Sequence, residues 1–130
     1  MTGRPWILAE TNLLDVRGTA HDVAILPWAA TEPHNFHLPY ATDVFETLAI
    51  AAEAARLAWE KGSRPLVLPA IPFGANEQQL GLPGTINLHP STQAGVLGDI
   101  VESLEAHGLQ KLVVLNGHGG NDFKQMIRET

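Results

Sequence analysis

The 130-residue chain contains no cysteine. This absence excludes disulfide frameworks, thiolate zinc sites and cysteine nucleophiles, and it is typical of proteins in a reducing compartment. A chain of this length buries enough apolar surface to form a core without such cross-links. We therefore expect a cytoplasmic protein that folds without disulfide bonds.

Long apolar runs and clusters of basic residues are also missing. No stretch of about 18 apolar residues could span a bilayer, and the N-terminus lacks the apolar run of a signal peptide. Eight Lys and Arg residues stand against 14 Asp and Glu residues, the net charge is −6, and the few cations are scattered. Nucleic-acid-binding proteins carry concentrated positive charge. Neither a membrane nor a nucleic acid is therefore an expected partner.

Segments of strand and helix character alternate along the chain. Apolar, β-branched runs predict strands over residues 22–29, 64–71 and 111–116, and helical spacing predicts helices over residues 43–62, 91–108 and 123–130. Such alternation is typical of a parallel sheet with right-handed crossover connections. The sequence therefore predicts one three-layer α/β domain over residues 1–130, with helices on both faces of the sheet.

Three loops follow the predicted strands, at Ala29–Thr42, Pro69–Pro90 and Asn116–Asn121. Ligands of open parallel sheets bind outside the carboxyl ends of the strands, where these loops meet. The middle loop is longer than an ordinary connection of about 2 to 6 residues, which favours a functional role. We expect the functional site at this edge of the sheet.

Carboxylates and imidazoles are concentrated in two of these loops. The stretch "AATEPHNFHLPYATD" supplies Glu32, His34 and Asp43, and the stretch "NGHGGN" supplies His118. Mixed histidine and carboxylate ligands suit Zn²⁺, Mn²⁺ or Fe²⁺. The sequence therefore predicts a divalent metal site built from these four side chains.

Each of these residues also has an ordinary structural interpretation. Asp43 and Glu46 form a D-x-x-E pattern that is typical of a capping box at a helix N-terminus. His34 and His37 are also consistent with loop histidines that make ordinary hydrogen bonds. The stretch "NGHGGN" is consistent with a plain glycine turn, or with an anion-binding loop of a small nucleotide-binding domain, although the Lys and Ser/Thr of a P-loop are absent.

Three motifs resemble those of the creatininase (creatinine amidohydrolase) family. "TEPHNFHLPYATD" resembles that family's "EQHGPHLP…TD" segment, "LGLPGTINL" is similar to its "FPGT" segment, and "NGHGGN" is a common form of its second metal motif. They follow the family order from about Leu26 to Asn121, so the chain resembles the N-terminal portion of a family member. Pro33, Asn35 and Phe36 replace the usual Gln, Gly and Pro and spare every ligand position.

The resemblance implies a creatininase-like amidohydrolase that cleaves a non-peptide, often cyclic, amide C–N bond of a small molecule by means of a hydroxide held between two metal ions. By position, Glu32, His34, Asp43 and His118 match the family's metal ligands, with Asp43 bridging the two ions. Zn or Mn is the expected metal, with Fe as a third option. A homo-oligomer, specifically a hexamer, is also implied.

Further roles follow from the same comparison of motifs. We expect the N–H groups of Gly119 and Gly120, at the start of the last helix, to stabilise the oxyanion, and His37 to orient a ligand. In creatininase itself, a glutamate at the position of Gly120 completes the metal site. Family members with "GHGGN" take the corresponding glutamate from a later segment of the chain. We therefore expect a domain that is incomplete at its C-terminus, with Glu77 as the first substitute ligand to test. The alternative is a non-catalytic metal-binding member or fragment.

Overall fold

The computed structural model describes residues 3–130, which form a three-layer α/β fold. Its helices and strands, in chain order, are α1 (Leu13–Arg17), β1 (Val23–Trp28), α2 (Thr42–Glu60), β2 (Pro65–Val67), α3 (Pro90–Ala106), β3 (Leu112–Asn116) and α4 (Lys124–Glu129). Short 3₁₀ turns lie at Leu8–Glu10 and Glu77–Gln79. Within residues 3–130, no helix is long and apolar enough to cross a membrane.

The three strands are parallel and lie in the order β2, β1, β3. Their carboxyl ends therefore share one edge of the sheet, as the alternating pattern predicted. Strand β1 runs through Pro27 and stops at Trp28, within the predicted residues 22–29. The Pro27 carbonyl accepts a hydrogen bond from Ile71 on the β2 side. Strand β2 ends at Val67, before the position beside Pro27. No hydrogen bond of the sheet is therefore lost because the proline lacks an N–H.

Both faces of the sheet are covered by helices. Leu26 and Trp28 of β1 belong to a core cluster that includes Leu97 of α3 and Met126 of α4. Ile25 points to the other face, where it packs against the cluster formed by α2. Successive side chains of a strand point to opposite faces, so one central strand serves two cores. The predicted three-layer α/β fold is confirmed.

Helix α2 lies on the sheet through small side chains. Its buried residues recur at every fourth position, and they are Asp43, Thr47, Ala51 and Ala55. Residues four apart share one helical face, so this face approaches the strands closely. The helix ends just before Gly62, whose φ of +96° is easily adopted only by glycine. Asp43 is consequently held in the first turn of α2, beside the carboxyl edge of the sheet.

Candidate metal centre

The structure brings the four predicted metal ligands together at this edge. Glu32, Asp43 and His118 are buried, and each offers one ligand atom within 4.8 Å of the others. Nε2 of His34 lies 3.0 Å from Oδ1 of Asp43 and 3.9 Å from Oε1 of Glu32. These candidate ligands come from three segments, which are the loop after β1, the first turn of α2 and the loop after β3. The juxtaposition is a finding, and the binding of metal by these groups stays a prediction.

The His118 ring is oriented by a backbone carbonyl. Its Nε2 lies 2.9 Å from the carbonyl oxygen of Ala75, and since a carbonyl can only accept, this contact favours a ring proton on Nε2. In the tautomer with its proton on Nε2, the ring presents the lone pair of Nδ1 to Asp43 Oδ2 at 3.0 Å and to Glu32 Oε1 at 3.1 Å. In that tautomer the three facing atoms are all electron-rich, and a cation among them would satisfy all three. This donor set therefore fits a divalent metal.

His34 has a buried nitrogen without a hydrogen-bond partner. Among the residues that the structure describes, Nε2 of His34 makes no hydrogen bond, although Oδ1 of Asp43 is only 3.0 Å away. A buried polar atom without a partner is costly and calls for a specific explanation. A second cation between His34 and Asp43 would satisfy both atoms. The pair is thus suited to a second metal position.

Asp43 lies between the two imidazoles and does not cap its helix. One of its oxygens faces His34 and the other faces His118. The N-cap of α2 is Ala41, no side chain caps it, and Asp43 is the second residue of the helix. The capping-box interpretation of the sequence is therefore wrong. The helix dipole still favours a negative charge at this first turn.

Glu32 is held by a residue that the sequence analysis missed. Nε2 of Gln79 donates to Oε2 of Glu32 at 2.6 Å. Burial raises the pKa of Glu32, the nearby His118 opposes this, and the neighbouring Asp43 carboxylate adds to the rise. Gln79 comes from the long middle loop. The unusual length of that loop was the only feature of the sequence that pointed to a functional role for its residues. Glu77, the expected substitute ligand, is exposed and lies outside the cluster of ligand atoms.

The three predicted catalytic residues lie outside this cluster. His37 is exposed, and within residues 3–130 no hydrogen bond or ion pair links it to a candidate ligand. Gly119 and Gly120 are exposed in the turn after β3. Helix α4 begins only at Lys124, so the expectation that these glycines start a helix is wrong. The anion-loop interpretation loses its helix N-terminus for the same reason, and the catalytic roles stay predictions.

The fold and the cluster together define a class of protein: a three-layer α/β domain with a histidine and carboxylate site at the carboxyl edge of its parallel sheet. Within that class, the chain belongs to the creatininase family. The family profile described as creatinine amidohydrolase matches residues 9–130. The resemblance of the three sequence motifs is thereby confirmed.

Individual relatives agree with this assignment. The creatinine amidohydrolase of Pseudomonas putida is 35% identical over 106 residues, which are 78% of this chain and 39% of the relative. The mycofactocin precursor peptide peptidase of Mycolicibacterium smegmatis is 29% identical over 100 residues, covering 76% of this chain and 40% of the relative. Both names denote hydrolases. The chain spans about two fifths of the length of these curated relatives.

Solved structures share the fold closely. A Bacteroides fragilis protein assigned as a creatinine amidohydrolase superposes with a TM-score of 0.93 at 48% identity, over 98% of this chain and 51% of that one. Creatininase structures at 29% identity include a Zn-Zn form (TM-score 0.79), a manganese form (0.80) and a complex with creatine (0.80). Cytoplasmic location, homo-oligomeric assembly and a single domain over residues 1–130 remain predictions from the sequence.

Proposed function

We propose that this chain carries the metal site of an amidohydrolase that cleaves the C–N bond of a small, non-peptide amide. The observation that carries the proposal is the contact of His118 Nδ1 with Glu32 Oε1 at 3.1 Å and with Asp43 Oδ2 at 3.0 Å. Family membership supports amide hydrolysis, because the curated relatives are named as an amidohydrolase and a peptidase. The choice of a non-peptide amide follows the creatinine amidohydrolase, at 35% identity. Cyclic amides are the substrate class that we favour.

The residues divide naturally between two cations. Glu32, Asp43 and His118 would hold one, and His34 with the other oxygen of Asp43 would hold the second. Zn²⁺ and Mn²⁺ both accept such nitrogen and oxygen ligands. When bound, divalent cations of this kind lower the pKa of water towards neutrality and polarise a carbonyl oxygen.

Groups of the chain itself would orient the ligands and meet the substrate. The hydrogen bond from Gln79 fixes Glu32, and the Ala75 carbonyl fixes the ring of His118. The N–H groups of Gly119 and Gly120, two exposed residues that follow His118 in the chain, would donate to the amide oxygen as negative charge develops on it. His37 is retained as the predicted orienting residue for a ligand, from the same exposed loop as His34.

A metal-binding role without hydrolysis is the second candidate. The observation that favours it is the small number of candidate ligands among the described residues. Four candidate ligands surround the two proposed positions, which leaves the second cation with two protein ligands. Metal binding without turnover by the 130-residue chain would support this candidate.

Hydrolysis by metal-loaded protein tests the first candidate directly. The purified chain, loaded with Zn²⁺ or Mn²⁺, is assayed on creatinine and on a panel of small lactams and formamides. We expect a chelator to abolish any turnover and both Glu32→Gln and His118→Ala to remove it. The control His107→Ala should retain it, since His107 is exposed at the end of α3. Turnover that is indifferent to the chelator and to both ligand variants would overturn the proposal.

A further inference from the structure

The side-chain amide of Asn121 joins four separate segments of the chain. Its Oδ1 accepts from the backbone N–H of Ala75 at 3.0 Å and from Nε2 of Gln93 at 2.8 Å. Its Nδ2 donates to Oδ1 of Asn116 at 3.1 Å and to the carbonyl of Ala29 at 3.4 Å. The end of β1, the middle loop, α3 and the end of β3 thus meet at one buried amide, which uses its full hydrogen-bonding capacity.

This amide network ends at His118. Ala75 donates its N–H to Asn121, and its carbonyl accepts the Nε2 proton of His118 at 2.9 Å. Oδ1 of Asn116 accepts the backbone N–H of His118 at 3.1 Å. The N–H of Asn76, in the same peptide unit as the Ala75 carbonyl, donates to Oδ1 of Asn87 at 2.7 Å. The carbonyl that orients the imidazole is therefore fixed from both sides.

Gln93 is the outermost member of the network and has an unusual location for an amide. It is 0% exposed and lies on α3, which contributes no candidate metal ligand. A buried amide lowers stability unless its hydrogen bonds are made, so an apolar residue would suit this position better on stability alone. The side chain of Gln93 donates a hydrogen bond to Asn121, which points to a role beyond packing.

The close approach of the backbone at Gly74 agrees with this role. A Cβ atom at Gly74 would lie 2.6 Å from Oδ1 of Asn121 and 2.6 Å from the carbonyl oxygen of Ala29. Only glycine therefore allows the middle loop to come near enough for the N–H of Ala75 to reach Asn121. The loop, the amide and the imidazole form one connected arrangement.

We propose that Asn121 and Gln93 are positioning residues for His118. By fixing the Ala75 carbonyl they keep the ring proton on Nε2 and leave the lone pair of Nδ1 facing Glu32. Neither residue touches the candidate cation positions. The metal consequence rests on the proposed function, because the other tautomer would direct an N–H at the carboxylates and remove a ligand.

The test compares two network variants with a matched core variant in the full chain. Gln93→Met keeps the length of the side chain and removes the donor, and Asn121→Leu removes all four hydrogen bonds of the amide. The control is Leu97→Ala, one turn further along α3 and 2% exposed, which loosens the core without touching the network. Zn²⁺ affinity is measured by competition with a chelator, and the tautomer of His118 by ¹⁵N NMR of the metal-free protein.

We expect Gln93→Met to weaken Zn²⁺ binding by about 10- to 100-fold, as for other partners of metal-ligating histidines, and Asn121→Leu to weaken it at least as much. Leu97→Ala should lower the melting temperature and change affinity by no more than about twofold. The wild type should show the Nε2–H tautomer, and both network variants should lose it. Gln93→Leu, whose apolar side chain cannot donate to Asn121, replaces Gln93→Met if that variant fails to fold.

Two results would overturn the positioning role: unchanged affinity and tautomer in both network variants, or an equal loss of affinity in Leu97→Ala. A wild-type chain that binds no Zn²⁺ would instead refute the proposed function. In that case the NMR measurement on metal-free protein still decides whether Gln93 and Asn121 fix the ring of His118.

Discussion

Nε2 of His34 lies 3.0 Å from Oδ1 of Asp43 and yet makes no hydrogen bond with it. The second oxygen of the same carboxylate is 3.0 Å from Nδ1 of His118. One buried carboxylate thus separates two imidazoles, each of which directs a nitrogen at it. This relationship is the basis of the proposed pair of cations that share Asp43, and it yields the following predictions.

Replacing Asp43 by Asn should remove the shared ligand at little cost to the fold. Asn has the same shape, and since Asp43 does not cap α2, the change in unfolding free energy should stay within about 1 kcal/mol. At saturating Zn²⁺ the variant should hold no more than one ion per chain. Elemental analysis beside thermal unfolding checks this. Wild-type metal content in the variant would show that Asp43 is no bridging ligand.

Replacing Glu32 by Gln should stabilise the metal-free protein while removing metal. Burial raises the pKa of Glu32 above its ordinary 4.5, so the folded state holds the proton more tightly than the unfolded state. The metal-free wild type should therefore lose stability as the pH rises from 4.5 towards the folded pKa. Gln avoids this loss and keeps an oxygen for Gln79. A melting temperature in chelator at neutral pH that is lower than the wild type's would contradict the prediction.

Adding a methyl group at Gly120 should disturb the site, whereas the same change at Gly119 should not. A Cβ at Gly120 would lie 2.6 Å from Nε2 of His118 and would overlap the carbonyl of Ala75, but a Cβ at Gly119 meets nothing within 4 Å. Gly120→Ala should therefore lower metal affinity by about 10-fold or more, and Gly119→Ala should leave it near the wild-type value. Equal affinities in the two variants would show that His118 is not a ligand in this orientation.

Replacing His118 by Ala should remove metal without unfolding the chain. The ring contacts the Ala75 carbonyl through Nε2 and the Asp43 carboxylate through Nδ1, and it belongs to neither core cluster, so its loss should cost about 1 to 3 kcal/mol. The control variant is His107→Ala, which also removes one histidine but at an exposed position. It should bind as many metal ions per chain as the wild type. If His118→Ala collapses the fold and the folded remainder keeps its metal, the imidazole is structural.

The sheet and the convergence of its loops were predictable because they follow from local patterns and topology. Apolar runs located β1 and β3, the helical period located α2 and α3, and parallel strands necessarily bring their following loops to one edge. The motifs then selected Glu32, His34, Asp43 and His118, which the structure brings together.

What the sequence could not provide were contacts between distant segments. The D-x-x-E pattern at Asp43 is locally identical to a cap, and only the loop that carries His118, 75 residues further on, shows where its oxygens point. Gln93 looks like an ordinary polar residue of an amphipathic helix until α3 packs on the sheet and buries it. Gln79 lies in a segment without periodicity, so its contact with Glu32 had no local signal.

The most direct test of the central claim is the metal content of the folded chain. Metal-free protein is dialysed against Zn²⁺ or Mn²⁺, freed of excess ion and analysed for metal, beside the triple variant Glu32→Gln, Asp43→Asn, His118→Ala. We predict bound ions in the wild type and none above background in the triple variant, with both chains folded. A folded wild type without metal, or a triple variant with the wild-type stoichiometry, would contradict the account.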